Sequence, residues 1–343
     1  MSGPNILFDK SFLQSLSLHE SVLFDNFFNA VICPLFFVET LADLDKAVRQ
    51  GRTPEQEVGI IADKVPELSS YPNLHHTNLG IANLMGQPIT MEGRVIVAGG
   101  RPVKVDGKSG VVYGQSPEAE AFSRWQKREF LHVERHIART WRQALNAIDL
   151  MTLAAGMRAM GVDAQTCRTL AEAREIARAF LNRTDNVPDQ IKLARIVLGA
   201  PVPCEALALK EWEARGRPSL AAYAPYAGHM MAVELFFQIA LAANLIGTER
   251  PSNRVDIAYL FYLPFCQVFV SSDKLHRRCA PNFLLPDQDF VWGPDLKERL
   301  KQLVEHYSAL PEEEKEQGLH QCAPAPLPDD LSPMAIIGVK FQG

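Results

Sequence analysis

The stretch "NILFDKSF", Asn5 to Phe12, decides how the rest of the chain is read. Ile6, Leu7 and Phe8 form a short apolar run of the kind that makes a buried strand, and Asp9 follows at once. Alone, Asp9 reads equally well as the N-cap of a helix beginning at Lys10. What matters is whether further acids stand in comparable positions. Working outward, "LFDNFFNAVIC" predicts a helix followed by a second strand ending near Cys33. Pro34 suits the first turn of another helix, "PLFFVETLADLDKAVRQG", closed by Gly51.

From Arg52 the character changes. Segments rich in turn formers surround a predicted β-hairpin with strands "RVIVAG" and "GVVYG", and a helical block follows from Ser116 to Gly216. The segment "HMMAVELFFQIALAANLIG", His229 to Gly247, approaches the length of a membrane span. It holds Glu234, Gln238 and Asn244 and lacks flanking aromatic belts, so a helix in a protein core is expected. Beyond it, "VDIAYLFYLPFCQVFVSSDKLHRR" reads as helix, strand and then an acid, and "DFVWGPDLKERLKQLVEHY" adds a strand and a helix. The expected class is α/β, a parallel sheet flanked by helices and interrupted by a mainly helical insertion. The expected boundaries are 1–50 with 229–310 for the sheet domain, 51–228 for the insertion, and 311–343 for a loose, charged and Pro-rich extension.

Composition narrows the function classes. The chain has 343 residues, 47% apolar and 22% charged, with a formal net charge of -5. That balance argues against a surface that binds nucleic acid everywhere, while leaving room for a local basic strip. The six cysteines are scattered without a CxxC pair, which speaks for free thiols in a reducing cytosol. No signal-peptide pattern opens the sequence, so a cytoplasmic location is expected.

The acids that join Asp9 are Glu39, Asp256 and Asp273. Glu39 lies in the first turns of an otherwise apolar helix, with Asp43 four residues on. Asp256 opens "VDIAYLFYL", and Asp273 ends "VFVSS" as Asp9 ends "ILF". The last two are 273 - 256 = 17 positions apart, close to one helix, a turn and a strand. In this order and context the four segments "ILFDKSFL", "CPLFFVETLADL", "VDIAYLFYL" and "VFVSSDK" resemble the PIN-domain family of metal-dependent nucleases. The resemblance covers 1–50 and 229–293, and the insertion is far larger than in the small toxins of that family.

The resemblance implies a PIN-like fold and a Mg²⁺- or Mn²⁺-dependent nuclease, acting on RNA more readily than DNA. Asp9, Glu39, Asp256 and Asp273 would hold the metal and carry catalysis. Hard oxygen ligands suit both ions, and clustered carboxylates repel unless a cation neutralises them. Ser11 and Ser271 are candidates to orient a ligand or water, and Lys10 and Lys274 to meet phosphate, against the plainer reading of solvated lysines. Two alternatives accompany this reading: a PIN-like scaffold binding nucleic acid or protein without catalysis, and a small-molecule phosphohydrolase. A haloacid dehalogenase-like enzyme would need a second Asp two positions after Asp9, where Ser11 stands.

The segment "SRWQKREFLHVERHIARTWRQALNAI" predicts one amphipathic helix with Arg124, Arg128, Arg135, Arg139 and Arg142 along one side. Arg135, Arg139 and Arg142 are candidate phosphate contacts, and the plainer reading is a solvated face ion-paired to Glu129 or Glu134. His132 and His136 read as surface histidines, since no third zinc ligand is evident. The helical insertion is also the expected surface for a protein partner or a homo-oligomer, with no membrane involved.

Overall fold

The computed structural model of the chain describes residues 3–46, 51–65, 70–97, 100–105, 108–112, 114, 116–313 and 331–338. The chain divides into two compact units. The first comprises Met1–Asn73, Gly93–Ala144 and Phe265–Gly343, and the second Leu74–Glu92 and Leu145–Pro264.

The first unit is α/β, as the sequence predicts. Its strands are β1 (Asn5–Phe8), β2 (Asn29–Ile32) and β3 (Ser70–Pro72), the hairpin β4 (Arg101–Val105) and β5 (Lys108–Val112), then β6 (Val268–Ser271) and β7 (Asp289–Trp292). Five strands form one parallel sheet in the order β3-β2-β1-β6-β7, with Ile6 opposite both Ala30 and Val268. The chain builds outward from β1 to β3 and then returns to the other side of β1. The order therefore reverses between β1 and β6, the switch point at which doubly wound sheets bind ligands.

Ile6, Leu7, Phe8, Ala30, Val31, Val268, Phe269 and Val270 are buried, as expected of parallel strands covered on both faces. The helices of this unit are α1 (Lys10–Ser15), α2 (Leu18–Phe27), α3 (Pro34–Leu41) and α4 (Pro54–Ala62). They are joined by α6 (Pro117–Gln126), α7 (His132–Asn146), whose last two residues fall in the second unit, α15 (Lys274–Cys279) and α16 (Gly293–Ala309). Ser17 caps α2 and Glu20 reciprocates, a complete capping box. Phe8 lies between Phe24 of α2 and Phe36 of α3, with ring centroids at 5.7 and 5.1 Å in edge-on contacts.

The second unit is helical: α5 (His76–Leu84), α8 (Leu150–Ala159), α9 (Leu170–Asn182), α10 (Val187–Val197), α11 (Val202–Ala214), α12 (Leu220–Tyr223), α13 (Pro225–Ala242) and α14 (Asn253–Ala258). Its central element is α13, buried on nearly all sides and packed on α5, α8 and α9. Among the described residues no helix is long and apolar enough to cross a membrane. Glu234, inside α13, pairs with Arg254 at 2.7 Å and accepts from the Gln238 amide at 2.9 Å.

The structure corrects several expectations. Residues 229–264 belong with the helical unit, because α13 is apolar all round and closes that core. Residues 51–73 and 93–144 belong with the sheet. The hairpin exists, but its first strand is Arg101–Val105 and not "RVIVAG"; Asp106-Gly107, a strong hairpin-turn pair, separates the strands in sequence. The helix from Pro34 gives way at Ala42 to a 3₁₀ turn, Ala42–Asp45. Of the expected extension, 331–338 is packed on the sheet unit, with Ile337 buried and the Gly338 N–H donating to Asp289 at 2.6 Å. Residues 314–330 lie outside the described ones.

The long arginine helix is two helices. Arg128 takes a left-handed φ of 63° between α6 and α7, which ends the first and redirects the chain. Its guanidinium is bound by Asp63 at 2.9 Å and by its own Gln126 carbonyl at 2.6 Å. It also lies so close over Gly59 that a Cβ there would come within 2.3 Å of its Nε. Glycine is what α4 needs at that crossing.

The start of α13 has no cap of its own, and Asn83 of α5 supplies one. Its Oδ1 accepts from the backbone N–H groups of Tyr226 and Ala227 at 2.9 and 3.1 Å. Asn83→Leu leaves these buried donors unpaired, and we expect it to lower unfolding stability by about 2–3 kcal/mol. Urea denaturation of the full chain measures this, and an unchanged midpoint would refute the capping role.

Candidate functional site

The carboxyl ends of β1 and β6 meet at the switch point, so Asp9 and the Ser271–Asp273 segment are brought together by the sheet. Asp9 is buried, and its carboxylate is met by donors. Oδ1 accepts from the Phe12 N–H at 2.9 Å, which makes Asp9 the N-cap of α1. Oδ2 accepts from the Ser11 hydroxyl at 2.6 Å and the Ser271 hydroxyl at 2.9 Å. Ser271 Oγ also accepts from the Asp273 N–H at 2.9 Å and lies 2.7 Å from His276 Nδ1. A hydroxyl has one hydrogen, and Ser271 spends it on Asp9. His276 Nδ1 must therefore carry the proton in that contact. The same nitrogen stands 3.7 Å from Asp9 Oδ2.

Burial by itself would push the Asp9 carboxyl up. The donors, His276 first and then Ser11 and Phe12, outweigh it and hold the pKa below the ordinary 3.8. Asp9 is thus an ionised, buried group whose charge is met inside the protein.

The remaining acids have separate surroundings. Asp273 is the N-cap of α15, its Oδ1 accepting from the Leu275 N–H at 2.6 Å. Glu39 is half-exposed on α3, near enough to the buried Cys33 thiol to add to the upward push that burial gives it. Asp256 is half-buried in the first turn of α14 and belongs to the second unit, whereas Asp9, Glu39 and Asp273 belong to the first.

Asp43 is the acid tied most plainly to cations. It is buried, accepts both oxygens' worth of hydrogen bonds from Lys10 Nζ at 2.9 and 3.0 Å, and takes a third from Arg142 at 3.2 Å. Lys10 also reaches the Glu39 carbonyl at 3.3 Å, and Arg142 the Ala42 carbonyl at 3.1 Å.

Most of the arginine strip is ion-paired, Arg124 to the Glu134 that the plainer reading names. Arg124 is bound to Glu134 at 2.6 Å, Arg135 to Glu55 at 2.6 Å, and Arg142 to Asp43, so they brace α6 and α7 against the unit. Arg139 is exposed, as are His132 and His136. Another set of cations stands at the sheet's rim. Lys274 and Arg277 of α15 are exposed, and the Arg277 guanidinium carbon is 4.8 Å from the centre of the Trp292 ring. Trp292 ends β7 directly opposite Ser271 in the register.

Among the described residues no three His, Cys, Asp or Glu side chains are grouped so as to hold a metal ion. Asp9 Oδ2 already accepts two hydroxyl hydrogens, which fills its lone-pair directions. Asp9, Glu39 and Asp273, the candidate acids of the first unit, do not fit a shared metal centre in this arrangement. Ser11 and Ser271, candidates to orient a ligand or water, both donate to Asp9. His276 was missed; its signal was a histidine one turn into a helix capped by Asp273, where it turns back toward the strand end. The chain matches no protein-family model, and no curated protein or solved structure is significantly similar to it.

A group with a depressed folded-state pKa contributes stability that is complete above its unfolded pKa and is lost as pH falls through the folded value. For Asp9 that places the loss below pH 3.8. Asp9→Asn should destabilise the protein by roughly 1.5–3 kcal/mol at neutral pH, the range for hydrogen bonds to a charged group. The gap to the wild type should narrow on acidification below that point. Urea midpoints of both proteins across the acid range check it, and a constant gap would show that the charge is not what matters.

Proposed function

We propose that this chain is a PIN-like α/β protein that binds single-stranded nucleic acid, RNA in preference to DNA, at the carboxyl rim of its parallel sheet. The observation that carries the reading is the Arg277–Trp292 pair beside the switch point, with Lys274 exposed next to it. Exposed cations meet phosphates, and an aromatic face with a stacked guanidinium offers a base a platform that every base can use. The strand order supports the site's location, because ligands of doubly wound sheets gather where that order reverses. In this reading Asp9 organises the rim and does not act as a ligand. Its oxygens are committed to Phe12, Ser11 and Ser271, and α1 and α15 keep their positions through it.

A second reading is the Mg²⁺- or Mn²⁺-dependent nuclease, with Asp9, Glu39, Asp256 and Asp273 as the acids. It is favoured by the ionised state of Asp9 at the strand end and by the half-exposed Asp273 beside it. It requires the donors on Asp9 to be exchanged for a metal when substrate arrives.

Fluorescence anisotropy with a labelled single-stranded oligouridylate, in EDTA, tests the binding reading. The wild type should bind, and Lys274→Ala with Arg277→Ala should weaken binding while lowering the salt dependence by about one unit per lost phosphate contact. Trp292→Ala should lose roughly 1–3 kcal/mol of stacking. Equal affinity of all three proteins would refute the rim as the site. On a denaturing gel with Mn²⁺ the RNA should stay intact. Cleavage that Asp9→Asn abolishes would establish the second reading instead.

A further inference from the structure

Helix α9 packs on α13 with Ala173, Ala177 and Leu181 buried, and Arg174 and Arg178 stand one turn apart along a flank of that stripe. Both arginines are half-buried. Among the described residues no carbonyl or carboxylate accepts a hydrogen bond from the Arg178 guanidinium. Arg174 has one carboxylate partner, Glu175, reached by its Nη1 at 2.9 Å. That acid is 65% exposed, and a pair so open to water adds little. The Nε of Arg174 is buried without an acceptor. Guanidinium groups drawn out of water need acceptors, and here several donors have none.

The acids that could answer them are committed elsewhere. Glu172 closes the capping box of α9, and Asp185, past the end of that helix, pairs with Arg183 at 2.6 Å. Glu234, the one acid of α13, pairs with Arg254 at 2.7 Å, and α12, which also contacts α9, has no acid. From α13 it is His229 that stands near enough to feel the Arg178 charge. Its Nε2 lies 2.9 Å from the Leu260 carbonyl and so carries the hydrogen. Burial, helped by Arg178 and opposed by the bond to Leu260, pushes that imidazole down to about 4. It is neutral at pH 7 and supplies no countercharge. Burial and the repulsion from Arg174 also lower the pKa of Arg178 itself. Positive charge is left in excess at a place partly closed to water.

We propose that Arg174 and Arg178 form a binding site for the phosphate group of a small phosphorylated molecule. Planar guanidinium forks match phosphate oxygens in pairs, with a geometry that lysine does not offer. Residues four apart on a helix have Cβ atoms about 5–6 Å from each other, so one phosphate is within reach of both forks. The Nε of Arg174 then gains the acceptor it lacks. Charge selects the class of ligand. A carboxylate or a phosphodiester brings one negative charge, whereas a phosphomonoester brings about 1.5 to 2 at pH 7 and answers both arginines. Glu175, largely in solvent, yields its place to that stronger anion. The site belongs to the second unit and does not rest on the nucleic-acid reading of the sheet rim.

Isothermal titration calorimetry of the full chain with inorganic phosphate, at pH 8 and constant ionic strength, tests the proposal. The wild type should bind phosphate saturably and acetate far more weakly. Arg178→Gln should weaken phosphate binding at least about tenfold, since it removes a charge and a fork together. Arg178→Lys keeps the charge but loses the fork, and should bind several-fold less tightly. It carries the test if circular dichroism shows that the glutamine variant does not fold. Lys274→Ala with Arg277→Ala, at the sheet rim, should leave the affinity unchanged. A wild type without saturable phosphate binding overturns the proposal, as does one that binds acetate equally well. Undiminished affinity in the folded Arg178 variants also overturns it. So does loss of binding in the rim variant, which would move the phosphate to the rim and leave the nucleic-acid reading intact.

Discussion

A buried carboxylate has to be met by donors of the protein, and Asp9 is such a group. It ends β1, and the donors that meet it come from α1 on one side and from the end of β6 on the other. Those two strands are adjacent in the sheet but far apart in sequence, and the Asp9–Ser271 hydrogen bond spans |i−j| = 262. One charge thus fixes the start of a helix and the side-by-side position of two chain segments. Ser271 passes the constraint on through the Asp273 N–H and His276, so α15 is held in the same network. The rim of the sheet takes its shape from this single ionised group.

The neighbouring acids show how position and not residue type sets the role of a carboxylate. Asp43 is buried like Asp9, but Lys10 and Arg142 neutralise it. Removing either cation would leave a charge the interior cannot hydrate. Lys10 lies between the two systems, following Asp9 in sequence and bonding to Asp43 in space. Asp9 is answered by hydroxyls, an amide and an imidazole, Asp43 by full positive charges. The first arrangement lies at the carboxyl ends of β1 and β6, and the second ties α1 and α7 to the turn that follows α3.

Much of the architecture was legible because it is local. The strands ending at Phe8, Ile32 and Ser271 are apolar runs bounded by capping or turn residues, and such signals need only near neighbours. The arginine helix was misread because its break at Arg128 depends on Asp63 and on the absence of a side chain at Gly59, more than sixty residues away. The hairpin was found but shifted, since several β-rich runs compete there. Residues 229–264 were assigned to the wrong unit for a related reason. A helix apolar on every side reads as buried without saying in which core. At the site, Asp9 and Asp273 were correctly put at strand ends, while two of the donors to Asp9, Ser11 and Ser271, were read as groups for a ligand or water.

The sequence by itself determined that this is an α/β chain, that acids follow its first and fourth sheet strands, and that α13 is a core helix and not a membrane span. Period, capping residues and apolar runs carry that information because each acts over a few residues. Only the tertiary structure decided that Ser11, Ser271 and His276 satisfy Asp9, that Arg142 belongs to Asp43, and that Asp256 lies in the other unit. Hydrogen bonds and ion pairs are short-ranged in space, and folding brings their partners within about 3 Å from anywhere along the chain. A carboxylate's chemistry is therefore written in its neighbours, which the order of residues does not list.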